Sequence, residues 1–528
     1  MRLTSPALAL LAGLLALLAL AAPAGASRFQ ESTFQDDDLL VYGEPARVAE
    51  TLDTLKALGV DRLRVSVFWK IVAPAFAEDT KPAGFDGGDP GAYPQGAWER
   101  YDRLAHEATA RGLELNLNLT GPAPDWATGT PDRADLDETY EPSAAEFAAF
   151  TRAAGTRYSG TYSGPDGRTL PRIDYWSIWN EPNQAGWLTP QWVPDPRGKG
   201  MVEAAPRIYR ELADEALLAL RATGHGDDTI LIGETAPKGL RVRGVARSMA
   251  PGRFIRRLFC LDDRGRTLKG TSAEVQGCPV SGAPADITAA HPSLLGASGW
   301  AHHPYELVAA PSRKPRTSGW YTIANLSDLQ RLLRRSHARL GRNRAVPLYL
   351  TEFGYQTNPP DPLGVSQGKQ AAYLAESEFR TYADPRVRTH SQFLLVDDEP
   401  LPGYPTTTTG AWGTTFQSGL RTLEGRAKPA FQAYQVPVFL PARSVRRGGR
   451  LRVWGLARAA AGRPLVEVLV RERGARRTRV ARRVRGSGAG YVDTRIRVRR
   501  SGTVRLRWRH PDGRRRTSQA VPFTVRGR

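Results

Sequence analysis

The chain has 528 residues, 41% of them hydrophobic, and a formal net charge of +21 at pH 7. This size and composition exclude a disordered or fibrous protein and are typical of a globular protein with two domains. The charge is concentrated at one end, because residues 441–528 contain 27 arginines, no lysine and 4 acidic residues, whereas the first 440 residues carry a net charge of −2.

The first 26 residues have the layout of a secretory signal. Arg2 precedes an alanine- and leucine-rich run from Ala7 to Ala22, and small residues stand before Ser27. This layout predicts a cleavable signal, and hence a secreted or cell-envelope protein. The alternative is an uncleaved membrane anchor, because the uncharged run approaches the length that spans a bilayer. No later stretch is long and apolar enough, so we expect no membrane span after cleavage.

After the signal, strand-like and helix-like segments alternate along the chain. The predicted strands are 36–42, 61–67, 113–119, 173–183, 229–233, 298–302, 347–351 and 391–396. The predicted helices are 44–58, 97–111, 143–158, 203–223, 246–258, 322–340, 366–382 and 428–434. Eight alternations within residues 27–440 predict an α/β fold, a (β/α)8 TIM barrel with long loops. An open doubly wound sheet would more often carry a Gly-rich phosphate turn, which the sequence lacks.

The only two cysteines, Cys260 and Cys278, lie in a Gly- and charge-rich segment without strand or helix pattern. In an oxidising compartment we expect them to form a disulfide, which the chain-entropy model values at about 3 kcal/mol for such a loop. Two free buried thiols are the alternative. We expect no metal site here, because no histidine or further cysteine stands at ligand spacing.

The pattern changes after Leu440. Segments beginning at 451, 465, 491 and 503 alternate apolar and polar residues with period two, separated by Gly-rich turns. This pattern predicts a small antiparallel, Ig-like β-sandwich over residues 441–528. Because charge, composition and periodicity change together, we expect this domain to fold and act separately from the barrel.

Two predicted strands end in a glutamate. The stretch beginning at Ile173 is apolar on both faces and then turns polar at Asn180-Glu181-Pro182. The stretch Pro347-Leu-Tyr-Leu-Thr is followed in the same way by Glu352. Because the carboxyl ends of barrel strands usually carry the chemistry, two such glutamates suggest a working pair.

These two motifs resemble those of the retaining β-glycosidases of the large (β/α)8-barrel glycoside hydrolase clan, which includes cellulases and relatives in families 5 and 39. The resemblance implies that Glu181 is the acid/base and Glu352 the nucleophile, and that the enzyme needs no metal or cofactor. Retaining hydrolysis requires the two carboxyl groups to stand about 5 Å apart. Helix-entry or loop glutamates without catalytic role are the alternative for either residue alone.

Other residues match the resemblance less firmly. Asn180 would donate to the sugar 2-hydroxyl, and Arg64 would orient the nucleophile through charge-assisted hydrogen bonds. A surface arginine on a sheet edge is the alternative for Arg64. In the segment 301–305, Tyr305 would bind Glu352 and His303 would contact the sugar, although the sequence leaves open which of its two histidines points inward.

Tryptophans are candidates for stacking on sugar rings. The tryptophan that the clan carries at the eighth strand has no direct match, and Trp412 in the following loop would substitute for it. Other candidates lie at predicted loop positions: Trp69, Trp126, Trp187 and Trp192. The alternative is that these rings pack loops against the barrel. The third strand lacks the clan's frequent histidine and offers Asn116 and Asn118 instead.

Together these observations predict a secreted, monomeric, retaining glycoside hydrolase acting on a β-linked polysaccharide or oligosaccharide. The alternative is a carbohydrate- or envelope-binding barrel without turnover, which would have little reason to keep both glutamates. The arginine-rich domain is expected to bind an anionic cell-envelope polymer. A merely solvated arginine surface is the alternative reading of that domain.

Overall fold

The computed structural model describes residues 30–527, so the predicted signal at 1–26 lies outside the described residues. Within this part of the chain, eight parallel strands form a closed barrel, which confirms the predicted fold class. The strands are β1 (Glu31–Gln35), β2 (Arg62–Phe68), β3 (Glu114–Thr120), β4 (Tyr175–Ile178), β5 (Thr229–Thr235), β6 (Gly299–His302), β7 (Leu348–Leu350) and β8 (Val387–Phe393). Strand β8 pairs with β1 and closes the barrel.

One main helix follows each barrel strand. These helices are α1 (Pro45–Leu58), α2 (Glu99–Ala110), α3 (Ala144–Arg157), α4 (Ala205–Ala222), α5 (Pro251–Leu258), α6 (Leu326–Arg339), α7 (Gln367–Tyr382) and α8 (Pro429–Gln435). Shorter helices lie in the loops: Asp37–Leu40, Trp69–Val72, Thr271–Glu274, Pro284–Ala290 and Ser293–Gly296. None of the helices within residues 30–527 is long and apolar enough to cross a membrane.

Two of the predicted strands lie at other positions in the structure. The first strand was expected at 36–42 but lies at Glu31–Gln35, and Asp36 instead caps a short helix by accepting from the Leu39 amide. The eighth strand was expected at 391–396 but lies at Val387–Phe393. It ends there because Leu394 adopts a left-handed φ of 71°, which breaks the extended backbone.

Alternation along the strands separates an apolar layer from a polar interior. In β2, Leu63, Val65 and Val67 are buried in the core cluster that the helices cover. Arg64 and Ser66 therefore project into the barrel, where Arg64 is only 1% exposed. The barrel interior is thus polar near its mouth, which is costly unless the buried groups bind one another.

The C-terminal unit consists of two sheets around a second apolar core. Its strands are β9 (Val438–Phe439), β10 (Ser444–Arg446), β11 (Arg450–Leu456), β12 (Leu465–Glu472), β13 (Arg479–Arg485), β14 (Tyr491–Arg497), β15 (Gly502–Arg509), β16 (Arg515–Thr517) and β17 (Val521–Arg526). The smaller sheet has the order β9-β11-β14, and the larger one β10-β17-β15-β12-β13 with β16 beside β15. The pairing is antiparallel except between β10 and β17. Because β9 pairs with β11, this unit begins a few residues before the predicted boundary at 441.

The predicted disulfide is confirmed. Cys260 and Cys278 are bonded, with their Cα atoms 5.9 Å apart. Both ends of the loop are also held by Arg210 of α4, whose guanidinium donates to the carbonyls of Leu258 and Gly277, each at 3.1 Å. The loop is therefore attached to the barrel at more points than the disulfide alone.

Candidate active site

The two strand-end glutamates meet at the mouth of the barrel. Glu181 follows β4 and Glu352 follows β7, and one carboxylate oxygen of each lies within 4.8 Å of the other's. Their side chains are 19% and 12% exposed, so both can be reached from solvent. The pair therefore has the separation and the access that chemistry on a bound ligand requires.

An unusual backbone presents Glu181. Trp179 and Glu181 both have positive φ, 63° and 37°, conformations that cost about 1–3 kcal/mol each in a non-glycine residue. The buried Trp179 ring holds this turn, because its Nε1 donates to the Trp187 carbonyl at 3.1 Å. The Glu181 amide donates to the backbone oxygen of Glu234 at 3.0 Å, which ties the end of β4 to that of β5.

Arg64 and Tyr305 both bind the carboxylate of Glu352, and these are the contacts that the resemblance implies. Arg64 Nη1 donates to Glu352 Oε1 at 2.8 Å, and the Tyr305 hydroxyl donates to Oε2 at 3.1 Å. Arg64 also donates through Nη2 to Asn180 Oδ1 at 2.8 Å. The alternative of a surface arginine is therefore wrong, and one guanidinium links the ends of β4 and β7.

Asn180 is positioned with its amide oxygen toward Arg64. Its Nδ2 makes none of the hydrogen bonds found within residues 30–527 and is left as a donor for a ligand. The two asparagines of β3 lie on the same side of the barrel: Asn116 donates to Ser177 at 3.2 Å, and Asn118 contacts Arg64.

His303 is the histidine that points into the site. Its Nδ1 lies 2.9 Å from Glu181 Oε1, and its Nε2 lies 2.7 Å from Glu234 Oε2. Burial alone would lower the pKa of His303, but Glu352, Glu181 and Glu234 outweigh this and raise it to about 10. The ring is therefore a cation, and both of its N–H groups donate to carboxylates.

His302 faces the other way and is neutral. Its Nε2 donates to the Tyr321 carbonyl at 2.9 Å, and its Nδ1 lies 2.9 Å from the Thr235 hydroxyl. Burial lowers the pKa of His302 to about 3. The two adjacent histidines thus have different protonation states, and only His303 belongs to the site.

Glu234, at the end of β5, is a site residue that the sequence did not reveal. It is fully buried, and its Oε2 accepts from Arg64 Nη2 at 3.1 Å, from His303 Nε2 and from the Thr351 hydroxyl at 2.7 Å. Burial alone would raise its pKa, but Arg64 and His303 lower it to about 2. The signal that could have found it is the same as for Glu181 and Glu352, an apolar strand ending in glutamate.

The acidity of Glu181 differs from that of Glu234. Burial raises the pKa of Glu181, and the nearby Glu352 adds to this, whereas His303 and Arg64 act in the opposite direction. The net effect is a raised pKa. Glu181 is therefore suited to carry a proton, while Glu234 stays ionised.

Two predicted sugar platforms are wrong. Trp69 is 1% exposed and stacks on Phe150 with ring centroids 5.8 Å apart, in the core behind β2. Trp412 is 6% exposed, and its Nε1 donates to the Thr406 carbonyl. Neither ring is open to a ligand.

Of the remaining candidate tryptophans, one is buried and two are partly exposed. Trp192 is 4% exposed and donates through Nε1 to the Arg247 carbonyl, whereas Trp126 and Trp187 are partly exposed. Trp187 stacks on Phe68 at the end of β2, with ring centroids 6.2 Å apart. Trp187 is therefore a candidate for contact with a ligand at the mouth of the barrel.

Ligand atoms of Glu181, His303 and Glu352 lie within 4.8 Å of one another, a spacing that could suit a metal ion. A histidine binds metal only as the neutral ring, through a free nitrogen lone pair. Here both nitrogens of His303 face carboxylates that raise its pKa. The donor set therefore fits a proton-holding network better than a metal centre.

No protein-family model and no curated protein matches the chain. Among solved structures it is similar to GH5_18 from Streptomyces cattleya in complex with GlcNAc, with a TM-score of 0.44 and 18% identity over 78% of this chain and 79% of that one. A glycoside hydrolase family 5 protein from Bacteroides vulgatus gives a TM-score of 0.41 and 10% identity over 89% and 87% of the two chains. A glycoside hydrolase family 5 mannosidase from Rhizomucor miehei gives 0.37 and 12% over 76% and 88%. At these identities the similarity concerns the fold alone.

Proposed function

We propose that the protein is a retaining β-glycoside hydrolase in which Glu352 is the nucleophile and Glu181 the acid/base. The observation that carries this proposal is the pair of accessible carboxylates whose nearest oxygens lie within 4.8 Å. Retaining enzymes keep their carboxyl groups about 5–5.5 Å apart, whereas inverting enzymes need roughly 6.5–9.5 Å to admit a water between the group and the sugar. The short separation supports attack by the enzyme itself.

In the first step, Glu352 attacks the anomeric carbon while Glu181 donates its proton to the departing oxygen. Arg64 and Tyr305 hold Glu352 by hydrogen bonds from both sides, which fixes its direction of attack. The raised pKa of Glu181 keeps that residue protonated for this step. The products are a glycosyl-enzyme ester and the released leaving group.

In the second step, Glu181 is ionised and takes a proton from water, which attacks the ester and releases the sugar with its original configuration. The cationic His303 donates to Glu181 Oε1 and stabilises this anion. The free Nδ2 of Asn180 would donate to the sugar 2-hydroxyl in both steps. The substrate class that follows is a β-linked polysaccharide or oligosaccharide, bound without a cofactor.

The mechanism predicts different results for the two glutamates. Glu352→Gln should lower turnover of activated aryl glycosides by about 10⁴-fold or more, because no leaving group compensates for the lost covalent step. Glu181→Ala should still form the glycosyl-enzyme from activated substrates, and azide should restore turnover and give a β-glycosyl azide. Glu399→Gln, at an exposed carboxylate in the loop after β8, is the control and should keep wild-type activity.

The anomer released first decides between mechanisms. A wild-type product with the β-configuration at early times, seen by NMR, supports retention. An α-product would mean inversion and contradict the assigned roles. If the wild type binds polysaccharides but hydrolyses none of a broad panel, the protein belongs to the alternative class of carbohydrate- or envelope-binding barrels.

We further propose that the protein acts outside the cytoplasm. The signal-like layout of residues 1–26 and the bond between Cys260 and Cys278 support this location, because disulfides persist in oxidising compartments. N-terminal sequencing of the exported protein should begin at Ser27. An uncleaved chain held in the membrane fraction would contradict the proposal.

A further inference from the structure

The outer surface of the larger C-terminal sheet is covered by arginines. In β15, Val504, Leu506 and Trp508 enter the apolar core, so the alternate residues of the strand face outward. The outward side chains of this strand and its neighbours, which we name the arginine face, include Arg471, Arg483, Arg485, Arg505, Arg507, Arg509 and Arg515.

Strand pairing sets these side chains side by side. Arg509 lies opposite Arg515, and Glu467 lies between Arg483 and Arg507 of the two strands beside it. Outward residues recur roughly every 6.8 Å along a strand, and neighbouring strands stand about 4.8 Å apart. The arginine face is therefore a two-dimensional grid of cations.

The positive charge of this grid is mostly uncompensated. Glu467 is the acidic residue on this face, and it binds Arg483 at 3.1 Å and Arg507 at 2.7 Å. Hydrogen bonds from Arg507 lower the pKa of Glu467, so this carboxylate is ionised. Its negative charge already pairs with Arg483 and Arg507. The others, Arg471, Arg485, Arg505, Arg509 and Arg515, have no carboxylate partner within residues 30–527.

The arginine face is also the free side of the domain. The smaller sheet packs on the barrel with the part of its outer surface that carries Trp454 and Tyr491, which contact Phe379 and Tyr382 of α7. The larger sheet lies on the opposite side of the sandwich core and touches the barrel at its β16 edge, where the Thr517 carbonyl accepts from Gln432 of α8. The arginines of the face are exposed, except Arg507, which is half-buried. A partner could therefore bind there while the barrel mouth remains open to substrate.

We propose that the arginine face binds a linear polymer of phosphodiester-linked polyol units at the cell envelope, and that this contact holds the enzyme near its substrate. Guanidinium groups bind phosphate oxygens in pairs, which favours arginine over lysine for this role. The outward positions of β12, β13, β15 and β16 carry no aromatic side chain. This disfavours single-stranded nucleic acid, whose bases stack on aromatic residues, and any polysaccharide held mainly by ring stacking.

Two charge-matched variants of the full-length protein test the proposal. The face variant carries Arg485→Gln, Arg505→Gln and Arg509→Gln. The control variant carries Arg450→Gln, Arg495→Gln and Arg497→Gln, which are exposed arginines on the outer side of the smaller sheet. Both lose three positive charges, so a general effect of net charge would weaken them equally.

The measurement is binding to immobilised poly(glycerol phosphate) between 50 and 200 mM salt. We expect wild-type binding to weaken steeply with salt, since phosphate-bound counterions are released. The face variant should bind at least about tenfold more weakly than the wild type. The slope of its log binding constant against log salt concentration should be smaller in magnitude by up to about three. The control variant should bind nearly as the wild type, and all three proteins should hydrolyse a small soluble glycoside at the same rate.

Several outcomes would overturn the proposal. These are an absence of wild-type binding, equal weakening of both variants, or tighter wild-type binding to a uronic-acid polysaccharide or to single-stranded DNA than to poly(glycerol phosphate). If the face variant does not fold, the corresponding Arg→Lys variant keeps the charge but loses the paired hydrogen bonds. That variant should bind more weakly than the wild type, and unchanged binding would count against the assignment.

Discussion

Three carboxylates meet at the mouth of the barrel, and their environments give them different chemistry. Glu181 and Glu352 reach solvent, whereas Glu234 is fully buried beneath them between Arg64 and His303. A buried anion with these two partners cannot touch a substrate. We therefore infer that Glu234 is a positioning residue, which fixes the two cations that in turn hold the proposed catalytic pair.

Glu234→Gln tests this role through the pH dependence of kcat/KM. Loss of the anion should lower the pKa of His303 from about 10 toward its ordinary 6.5. The cationic His303 lowers the pKa of Glu181, so a neutral ring leaves the pKa of Glu181 higher and its acid form present to higher pH. In the profile of kcat/KM against pH, the loss of activity on the alkaline side should therefore occur at higher pH. The value of kcat/KM at its optimum should fall by up to about 100-fold, because Glu181 and Glu352 are misplaced.

The control is Glu203→Gln, which removes another buried carboxylate that pairs with Arg253 and Arg257 away from the site. This variant should lose stability without moving the pH profile. An unchanged basic limb in Glu234→Gln would contradict the role assigned to Glu234.

The same network links stability to pH. The pKa of Glu234 is about 2 in the fold against an ordinary 4.5, so its stabilisation is present above pH 4.5 and is lost as the pH falls toward 2. The pKa of His303 is raised to about 10, so its stabilisation is present below pH 6.5 and is lost as the pH rises toward 10. Calorimetry should show that Glu234→Gln melts at a lower temperature than the wild type near neutral pH. The difference in melting temperature between the two proteins should be smaller toward pH 2 and toward pH 10.

The strand-end pattern was enough to place Glu181 and Glu352 at the mouth of the barrel, because each follows an apolar run that turns polar. Glu234 carries the same strand-end signal, because it directly follows the predicted strand 229–233, but the sequence does not show that it binds Arg64 and His303. In the structure, Gly233 has a φ of 108° and the ladder between β5 and β6 shifts register between Ile232 and Thr235, an irregularity that a period-two pattern cannot show. The prediction that Trp69 binds sugar is wrong because the short helix that begins at this residue turns its ring into the core.

Among the elements, β2 to β7 were predictable because apolar residues either dominate the strand, as in β4 and β7, or alternate with polar ones, as in β2 and β3. The two strands that close the barrel, β1 and β8, were not predictable at their observed positions. Strand β1 has the sequence Glu-Ser-Thr-Phe-Gln and β8 begins Val-Arg-Thr-His-Ser, so both are polar although largely buried. Some of their polar groups bind distant parts of the chain, such as Ser32 with Tyr434 at 2.8 Å, which sequence periodicity does not reveal.

The loop closed by the disulfide is an element whose stability should separate from that of the barrel. In a variant with Cys260→Ser and Cys278→Ser, we expect amide hydrogens of residues 260–282 to exchange faster, while those of the barrel strands change little. The loss should stay below the roughly 3 kcal/mol of the chain-entropy model, because Arg210 still binds carbonyls at both ends of the loop. Hydrogen-exchange mass spectrometry measures this, and uniform loss of protection across the barrel would contradict it.

At the scale of the whole molecule, the change of composition near residue 441 suggested two separate units, but the structure packs them closely together. Trp454 packs against Phe379 of α7 with ring centroids 5.5 Å apart. A Cβ added to Gly59, at the end of α1, would lie 2.3 Å from the Ala459 nitrogen. A chain cut near Leu440 would expose this apolar contact, so we expect the two units to unfold together.

Arg458 is the residue on which this joint behaviour should depend most. It is 4% exposed and donates to Glu378 of α7 at 2.7 Å, to Ser32 at 2.6 Å and to the Tyr434 carbonyl at 2.9 Å, so it connects the sandwich to both ends of the barrel chain. Arg458→Met leaves Glu378 buried without its cation, which should cost about 3–5 kcal/mol.

Calorimetry should show one unfolding transition for the wild type and two for Arg458→Met, with the C-terminal unit melting first, because the substitution weakens the contact between the units more than either core. The control is Arg479→Met, whose ion pair with Glu472 in the same unit is 51% and 25% exposed and should contribute only about 0–1 kcal/mol. Equal effects of the two substitutions would mean that the apolar contact around Trp454 is sufficient to couple the units without the buried ion pair.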